Sequence, residues 1–405
     1  MSGNKLRVAS LFSGCGGLDL GFVGGFKHRH FDFPKTGFQI VFANDFDVDA
    51  GRVYQSNQKY LGDHSFHPGD ITKVAAEDIP SFDVLLAGFP CQPFSNAGNR
   101  EGISDKSGRG TLFYECERII EHCFKNSGGE LPKAFVFENV RGILSSKMAD
   151  GRTVPEEITH KMSKLGFRVS TKLFKTSDYG VPQNRYRVII VGVRNDIKEF
   201  DFAELDNVVQ EFNLPTEHGD SYELTLGAIL SDIPKTAFNY NDYWKYSASG
   251  QNMVDLIGPC LDGAEAFPKF KHKVPLDDIS PTIKKGRSWK NIPPDLLTPR
   301  FRRIHDDPKK YHAPNFYRRF ALGEIAGTIT ASAQPENCGI THPFENRRMT
   351  LREISRIQTF PDDFTLPYTS IAGAYKVIGN AVPPVFGWVI AKALKNHLDK
   401  YSQKK

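Results

Sequence analysis

The stretch Val84-Leu85-Leu86-Ala87-Gly88-Phe89-Pro90-Cys91-Gln92-Pro93-Phe94-Ser95 carries the reading of the fold. An apolar run ends in Gly-Phe-Pro, and a cysteine follows at once. A strand buried on both faces of a parallel sheet reads this way, and such sheets bind ligands just past the carboxyl ends of their strands. Pro90 fixes its own φ and drives Phe89 out of helical space, so the run cannot continue as a helix. Cys91 is thereby predicted on a stiff turn at the rim of a sheet. A lone cysteine is more often a buried, inert side chain than a reactive one. The residues around it tip the balance.

The bulk properties set the frame. A chain of 405 residues has room for one large domain and a smaller one, each with its own core. With 40% hydrophobic and 24% charged residues it reads as an ordinary soluble protein. No apolar run approaches the length of a membrane span, and Met1-Ser2-Gly3-Asn4-Lys5 leads into a strand without a signal-peptide core. The six cysteines form no Cys-x-x-Cys pair, which argues against a zinc site or a disulfide framework. No metal is expected, and a reducing cytoplasm fits best.

From the amino end, Leu6 to Phe12 reads as a strand, and the glycine-rich turn Ser13-Gly14-Cys15-Gly16-Gly17 runs into a helix. Such a turn lets a ligand approach the backbone closely. It is not G-x-G-x-x-G, and alone it is equally consistent with a tight turn and nothing more. Gln39 to Asn44 is the next strand, ending at Asp45-Phe46-Asp47. An acid at the end of a second strand of this kind holds ribose hydroxyls; Asp45 is assigned to that task and Asp47 to capping the next helix. Gly69-Asp70-Ile71 supplies a third loop with an acid. Strand, glycine turn, strand, acid, strand, acid describes a nucleoside-cofactor half-domain of an α/β, doubly wound, Rossmann-like sheet.

Beyond Cys91 a polar loop of Asn96 to Gly110 leads to a helix from Thr111 to about Cys123. Loops of that length usually act as lids or binding loops. Lys133 to Phe137 is another buried-type strand, ending at Glu138-Asn139-Val140. Cys91 and Glu138 thus sit at the ends of two apolar strands and share one sheet edge. A helix (Val154 to Leu165) and a strand (Arg168 to Thr176) precede Gln183-Asn184-Arg185-Tyr186-Arg187. Two arginines two residues apart in extended chain face the same way and suit a planar acceptor or a phosphate.

These blocks, in this order and with Gly379-Asn380-x-Val382 near the end, resemble the DNA (cytosine-5) methyltransferase family, most closely its bacterial restriction-modification type. The resemblance covers residues 6 to 194 and 341 to 390. It implies the S-adenosylmethionine-dependent methyltransferase fold, with a catalytic domain of residues 1–200 and 341–405 and an inserted target-recognition domain of 201–340. It implies Cys91 as nucleophile beside Gln92, Glu138 as acid at ring nitrogen 3 of cytosine, and Arg187 at the cytosine carbonyl with Arg185 in support. Phe12, Ser13, Gly14, Gly16, Gly17, Asp45, Phe46, Asp70, Ile71, Pro90 and Asn380 would hold S-adenosyl-L-methionine. The family often carries Trp at Phe46 and Ser at Ala381, two departures. It further implies double-stranded DNA as partner, a cognate restriction endonuclease as functional counterpart, a monomer, and a prokaryotic cytoplasm.

The chemistry calls for these residue types. Carbon 5 of cytosine is a poor nucleophile until a thiolate adds to carbon 6 and turns the ring into an enamine. The ring accepts those electrons when an acid at nitrogen 3 supplies a proton, which asks for a carboxyl that stays protonated near neutral pH. In a duplex the base must first leave the stack.

From about Asn195 to Ile340 the pattern changes to short segments rich in proline and aromatics. Lys284 to Arg319 holds 11 Lys/Arg and 3 Asp in 36 residues, a local excess of +8 against +5 for the whole chain. Interleaved with Trp289, Phe301, Tyr311, Phe316 and Tyr317, it reads as a nucleic-acid face. In the last block Thr350 with Glu353 forms a capping box, and a terminal helix runs to about Leu398. Other readings are an NAD(P)-dependent oxidoreductase, a tRNA cytosine-5 methyltransferase, and a non-catalytic DNA-binding member of the family.

Overall fold

The computed structural model describes residues 5–90, 112–148, 150–219, 221–260, 286–307, 316–331 and 341–401. The strands β1 (Leu6–Leu11), β2 (Phe38–Asp45), β3 (Ser65–Pro68), β4 (Val84–Ala87), β5 (Ala134–Val140), β6 (Phe167–Lys175) and β7 (Tyr186–Arg194) form the main sheet among the described residues. Their spatial order is β3-β2-β1-β4-β5-β7-β6. The first five run parallel. β7 is antiparallel to both β5 and β6. The chain winds outward from β1 to β3 and returns to the far side of β1 as β4. The order reverses between β1 and β4, and open α/β sheets bind ligands at such a switch point.

The strands are apolar on both faces because helices cover both. On one face Val8, Leu86, Val136 and Ile189 pack with Leu18 and Leu20 of α1 (Gly17–Val23) and Trp388 of the terminal helix Pro384–Tyr401. On the other, Ala9, Leu85, Phe135 and Ile190 pack with Ile119 of α3 (Phe113–Asn126) and Ile158 of α4 (Val154–Lys164). Adjacent residues of one strand thus serve opposite cores, as the pleat dictates.

Local signals set the helix ends. Asp47 caps α2 (Val48–Gln55), its carboxylate accepting from the N–H groups of Asp49 and Ala50. The expected capping box of Thr350 and Glu353 opens the helix Leu351–Ile357. The helical stretch Ile371–Tyr401 corrects one expectation: it is long and apolar enough to cross a bilayer. Its most apolar window is 89% buried inside the fold, so its composition is that of a core helix.

A separate small core gathers Met253, Ile257, Trp289, Phe301, Ile304 and Tyr317. Leu205, Val208, Leu226 and Ile229 do not join it; they pack into the first core of the main sheet, as do Ala326 and Ile329. The flanks of the 201–340 span are therefore packed on the large domain, and the second packing unit runs from about residue 246 to 317.

Candidate active site

A cleft of about 930 Å³ opens at the carboxyl ends of β1, β2, β4 and β5. Its walls include Phe12, Asp45, Phe46, Pro90, Glu138, Arg187 and Asn380, which are far apart in sequence. Ser13, Gly14, Gly17, Asp70 and Ile71 also line it.

The wall nearest the amino terminus is a set of bonds between loops. Ser13 Oγ donates to the Asn44 carbonyl (3.1 Å), and the Gly14 N–H donates to Asp45 Oδ2 (2.7 Å). Asp45 Oδ1 accepts from the Asp47 N–H at 2.7 Å. Burial pushes the Asp45 carboxyl above its ordinary range, against the pull of those two N–H groups. Phe12 sits at φ 55°, a strained value for a bulky residue, which points to a turn held by its surroundings. Gly17 is required for space: a Cβ there would lie 2.3 Å from the Val382 carbonyl. Gly16, at φ 83°, precedes α1. Asp70 caps the short turn Ile71–Lys73 through the Thr72 N–H, which holds its carboxyl below the usual range. Phe46 is 75% exposed although large and apolar. Its solvated ring adjoins, in the chain, a half-buried carboxylate whose oxygens each accept one bond and keep lone pairs free. A ring to stack on and an acceptor for hydroxyls fit a nucleoside.

The opposite wall carries Glu138 and Arg187. In the β5–β7 register Glu138 pairs with Ile189 and Val140 with Arg187, so Glu138 and Arg187 are diagonal neighbours on one face. Arg187 Nε lies 2.5 Å from Glu138 Oε1, with both side chains about a tenth exposed. Burial works against the Arg187 charge, and the Glu138 carboxylate supports it. Asn139, on the other face, donates to the Phe89 carbonyl at 3.2 Å and so ties β5 to the Gly-Phe-Pro turn. Gly88 borders the acid: a Cβ there would stand in ordinary contact with Glu138 Oε2, at 3.5 Å.

Arg185 corrects an expectation. It does not share the cleft with Arg187; its guanidinium is buried and donates to the carbonyls of Ile329 (2.8 Å) and Gly379 (2.9 Å). The strict alternation of an extended chain does not run through it. Gln183–Asn184 pairs with Ala326–Gly327 as a separate short strand, and the Arg185 N–H turns back to the Gln183 carbonyl. Cys91, Gln92 and the loop from Phe94 to Gly110 lie outside the described residues. Pro90, which directly precedes Cys91 in the chain, lines the cleft.

Residues 6–396 match the C-5 cytosine-specific DNA methylase family. The chain belongs to that family. The methylase is 32% identical over 395 residues to the type II methyltransferase M.NgoFVII of Neisseria gonorrhoeae, covering 97% of this chain and 87% of that protein. It is 30% identical over 404 residues to M.FnuDI of Fusobacterium nucleatum, covering 99% and 97%. Among solved structures it resembles a putative DNA modification methyltransferase encoded within an E. coli prophage, with TM-score 0.59, 23% identity and coverage of 98% and 100%. It resembles S. pombe Dnmt2 methyltransferase with TM-score 0.58, 17% identity and coverage of 98% and 99%. At those identities the structures show a shared fold. The chain is a DNA (cytosine-5) methyltransferase.

In this methylase the aromatic residues of the basic stretch have a different task from the one expected. Trp289, Phe301 and Tyr317 build the small core and Phe316 packs against it, so they are not a stacking face; Tyr311 lies outside the described residues. Arg319 is also internal, donating to the carbonyls of Val254, His342 and Glu345. Among the described residues of the stretch, Lys290 and the helix Pro299–Asp306 face outward, the helix with Phe301 and Ile304 buried and Arg300, Arg302 and Arg303 exposed.

Two cleft residues had escaped sequence reasoning. Lys376 pairs with Asp47 at 2.6 Å and lines the cleft. Asp19 is fully buried in α1, accepting from Ser10 Oγ and Tyr54 Oη at 2.7 Å each. Its one signal was a charge inside the apolar run Leu18-Asp19-Leu20.

Proposed function

We propose that Cys91 and Glu138 carry the methylation of cytosine carbon 5 in a specific double-stranded sequence, with Arg187 holding the base. The observation that supports this most is the pairing of Glu138 with Arg187 in one cleft with the Gly14–Asp45 turn, an acid and a planar cation beside a nucleoside pocket. Asp45, Phe46, Asp70, Asn380 and the glycine turn are the residues to hold S-adenosylmethionine. When bound, it supplies an electrophilic methyl group. The Cys91 thiolate adds to carbon 6 of a flipped-out cytosine while Glu138, having released Arg187 to the base and taken up a proton from solvent, delivers that proton to nitrogen 3. The Arg187 guanidinium offers planar donors to the carbonyl oxygen. Once carbon 5 is methylated its proton passes to solvent, the thiolate leaves as the carbon 5–carbon 6 double bond re-forms, and nitrogen 3 returns its proton to Glu138. Asn139, bonded to the Phe89 carbonyl, steadies the turn that ends at Pro90, the residue before Cys91 in the chain.

Residues of about 246 to 317 are the unit we assign to target recognition, with the outward arginines of Pro299–Asp306 at phosphates. The relatives of about 30% identity are named type II methyltransferases, which favours DNA over tRNA and a role paired with a restriction endonuclease. Labelled methyl transfer to duplex DNA against tRNA, with bisulfite sequencing of DNA from expressing cells, tests the assignment. Duplex DNA is expected to be labelled at one short sequence. Cys91→Ser should lose turnover while keeping cofactor and DNA binding within a few-fold. Turnover above a few per cent in that variant, or labelling of tRNA alone, contradicts it.

A further inference from the structure

Behind the cleft lies a buried polar knot that the mechanism does not use. Arg185 reaches two carbonyls from different parts of the chain, those of Ile329 and Gly379. Gln183 Oε1 accepts from the Ile329 N–H at 2.9 Å, so both backbone groups of Ile329 are captured from one short segment. Gln183 Nε2 donates to Gln358 Oε1 (2.9 Å), and Gln358 Nε2 donates to the Ile378 carbonyl (2.7 Å). Gln183, Arg185, Ile329, Gln358 and Ile378 are all buried.

Through Gln358, at the C-terminal end of the helix Leu351–Ile357, the knot joins three further segments. One carries Arg187, two residues past Arg185. The second is the return from the inserted span at Ile329. The third is the end of the helix Ile371–Asn380, whose Asn380 lines the cleft. Carbonyls in the last turn of a helix have no intrahelical partner, and a guanidinium fork can serve two acceptors from separate directions. The fit is tight: a Cβ on Gly379 would lie 2.3 Å from the Thr330 carbonyl. We propose that Arg185 is a positioning residue that keeps the base wall (Arg187) and the cofactor wall (Asn380) in register with the root of the inserted unit. The proposal rests on the function assigned above. A misplacement of about 1 Å can cost a hundredfold in rate, so a linker of this kind acts on turnover without touching substrate.

The test compares wild type, Arg185→Lys and Gln358→Met. Lys keeps the charge but supplies one branch in place of the fork; Gln358→Met cuts the knot and leaves Arg185 in place. Active sites are counted by covalent trapping on a 5-fluorocytosine duplex, and kcat is expressed per trapped site. Arg185→Lys is expected to lower kcat per site at least tenfold and to raise the KM for S-adenosylmethionine several-fold. DNA affinity without cofactor should stay within twofold. Gln358→Met is expected to move the same quantities in the same direction by less, and it decides alone if Arg185→Lys does not fold. Unchanged kcat per site and KM with only a lowered Tm would reduce the knot to a fold element and overturn the proposal. A selective loss of DNA affinity would overturn it too, by making Arg185 a substrate contact. Wild type that never traps would instead refute the underlying function, a result distinct from either.

Discussion

Arg187 and Glu138 form an ion pair of 2.5 Å at the end of an antiparallel strand pair, both nearly withdrawn from water. Strand register makes them neighbours, since β7 runs opposite to β5 and sets position 187 diagonal to position 138. A parallel β7 would have carried Arg187 to the other edge of the sheet.

Glu138→Gln is expected to slow turnover by about two orders of magnitude, the usual loss when a general acid is removed. The amide keeps the shape but has no proton to transfer. Trapping on a 5-fluorocytosine duplex isolates thiolate addition from later steps, because fluorine does not leave as a proton does. Equal trapping rates for Glu138→Gln and wild type would show that Glu138 does not assist the attack.

Asp19 predicts a pH dependence of stability. Burial raises its carboxyl from 3.8 to about 6, with the Ser10 and Tyr54 hydrogen bonds opposing and the charge of Asp45 adding to the rise. The folded state therefore holds this proton more tightly than the unfolded chain. Between pH 4 and 6 the unfolded chain binds fewer protons, so this group's contribution to stability falls as pH rises and is level above about 6. A shift of this size corresponds to roughly 3 kcal/mol. Denaturant titrations at pH 4 to 7 should show Asp19→Asn with a flatter profile than wild type over that window. Parallel profiles would mean that Asp19 titrates normally.

Gly17→Ala should be costly for its size. The added methyl meets the Val382 carbonyl at 2.3 Å, and a backbone atom cannot swing aside. Overpacking of this sort costs about 1–3 kcal/mol. Because Val382 and Gly17 both line the cleft, cofactor affinity by calorimetry should fall along with the urea midpoint. A variant with wild-type values for both would show that the C-terminal segment yields easily.

Arginines of the basic stretch should divide by burial. Arg302, exposed on Pro299–Asp306, is expected to weaken all DNA alike when changed to Gln and to lower the salt slope by about one. Arg319→Met should instead destabilise the fold by about 3 kcal/mol or more, since three backbone carbonyls lose their donor. A salt slope unchanged in Arg302→Gln would move the phosphate contact elsewhere.

Much of the large domain was legible because its signals are local. Apolar runs of strand length, the glycine turn, Asp47 as a cap and the Thr350–Glu353 capping box each depend on residues a few positions apart. The inserted unit was less legible. Basic residues mixed with aromatics look alike whether the rings stack on bases or fill a core, and only packing separates Trp289 and Phe301 from a surface face. Arg185 shows the same limit: period-two alternation predicts a direction only while the chain stays extended, and the turn at Gln183–Arg185 breaks it.

The sequence by itself determined that a doubly wound sheet exists, which loops stand at its carboxyl edge, and which residue types could do the chemistry. Those follow from side-chain periodicity and backbone preference, which act over a few residues. Only the tertiary structure decided that Glu138 faces Arg187, that Asp19 is buried under the glycine turn, and that Arg185 ties Ile329 to Gly379. Those relations join positions up to 194 residues apart. They arise from strand order, register and the burial of polar groups that must find partners, none of which a local window contains.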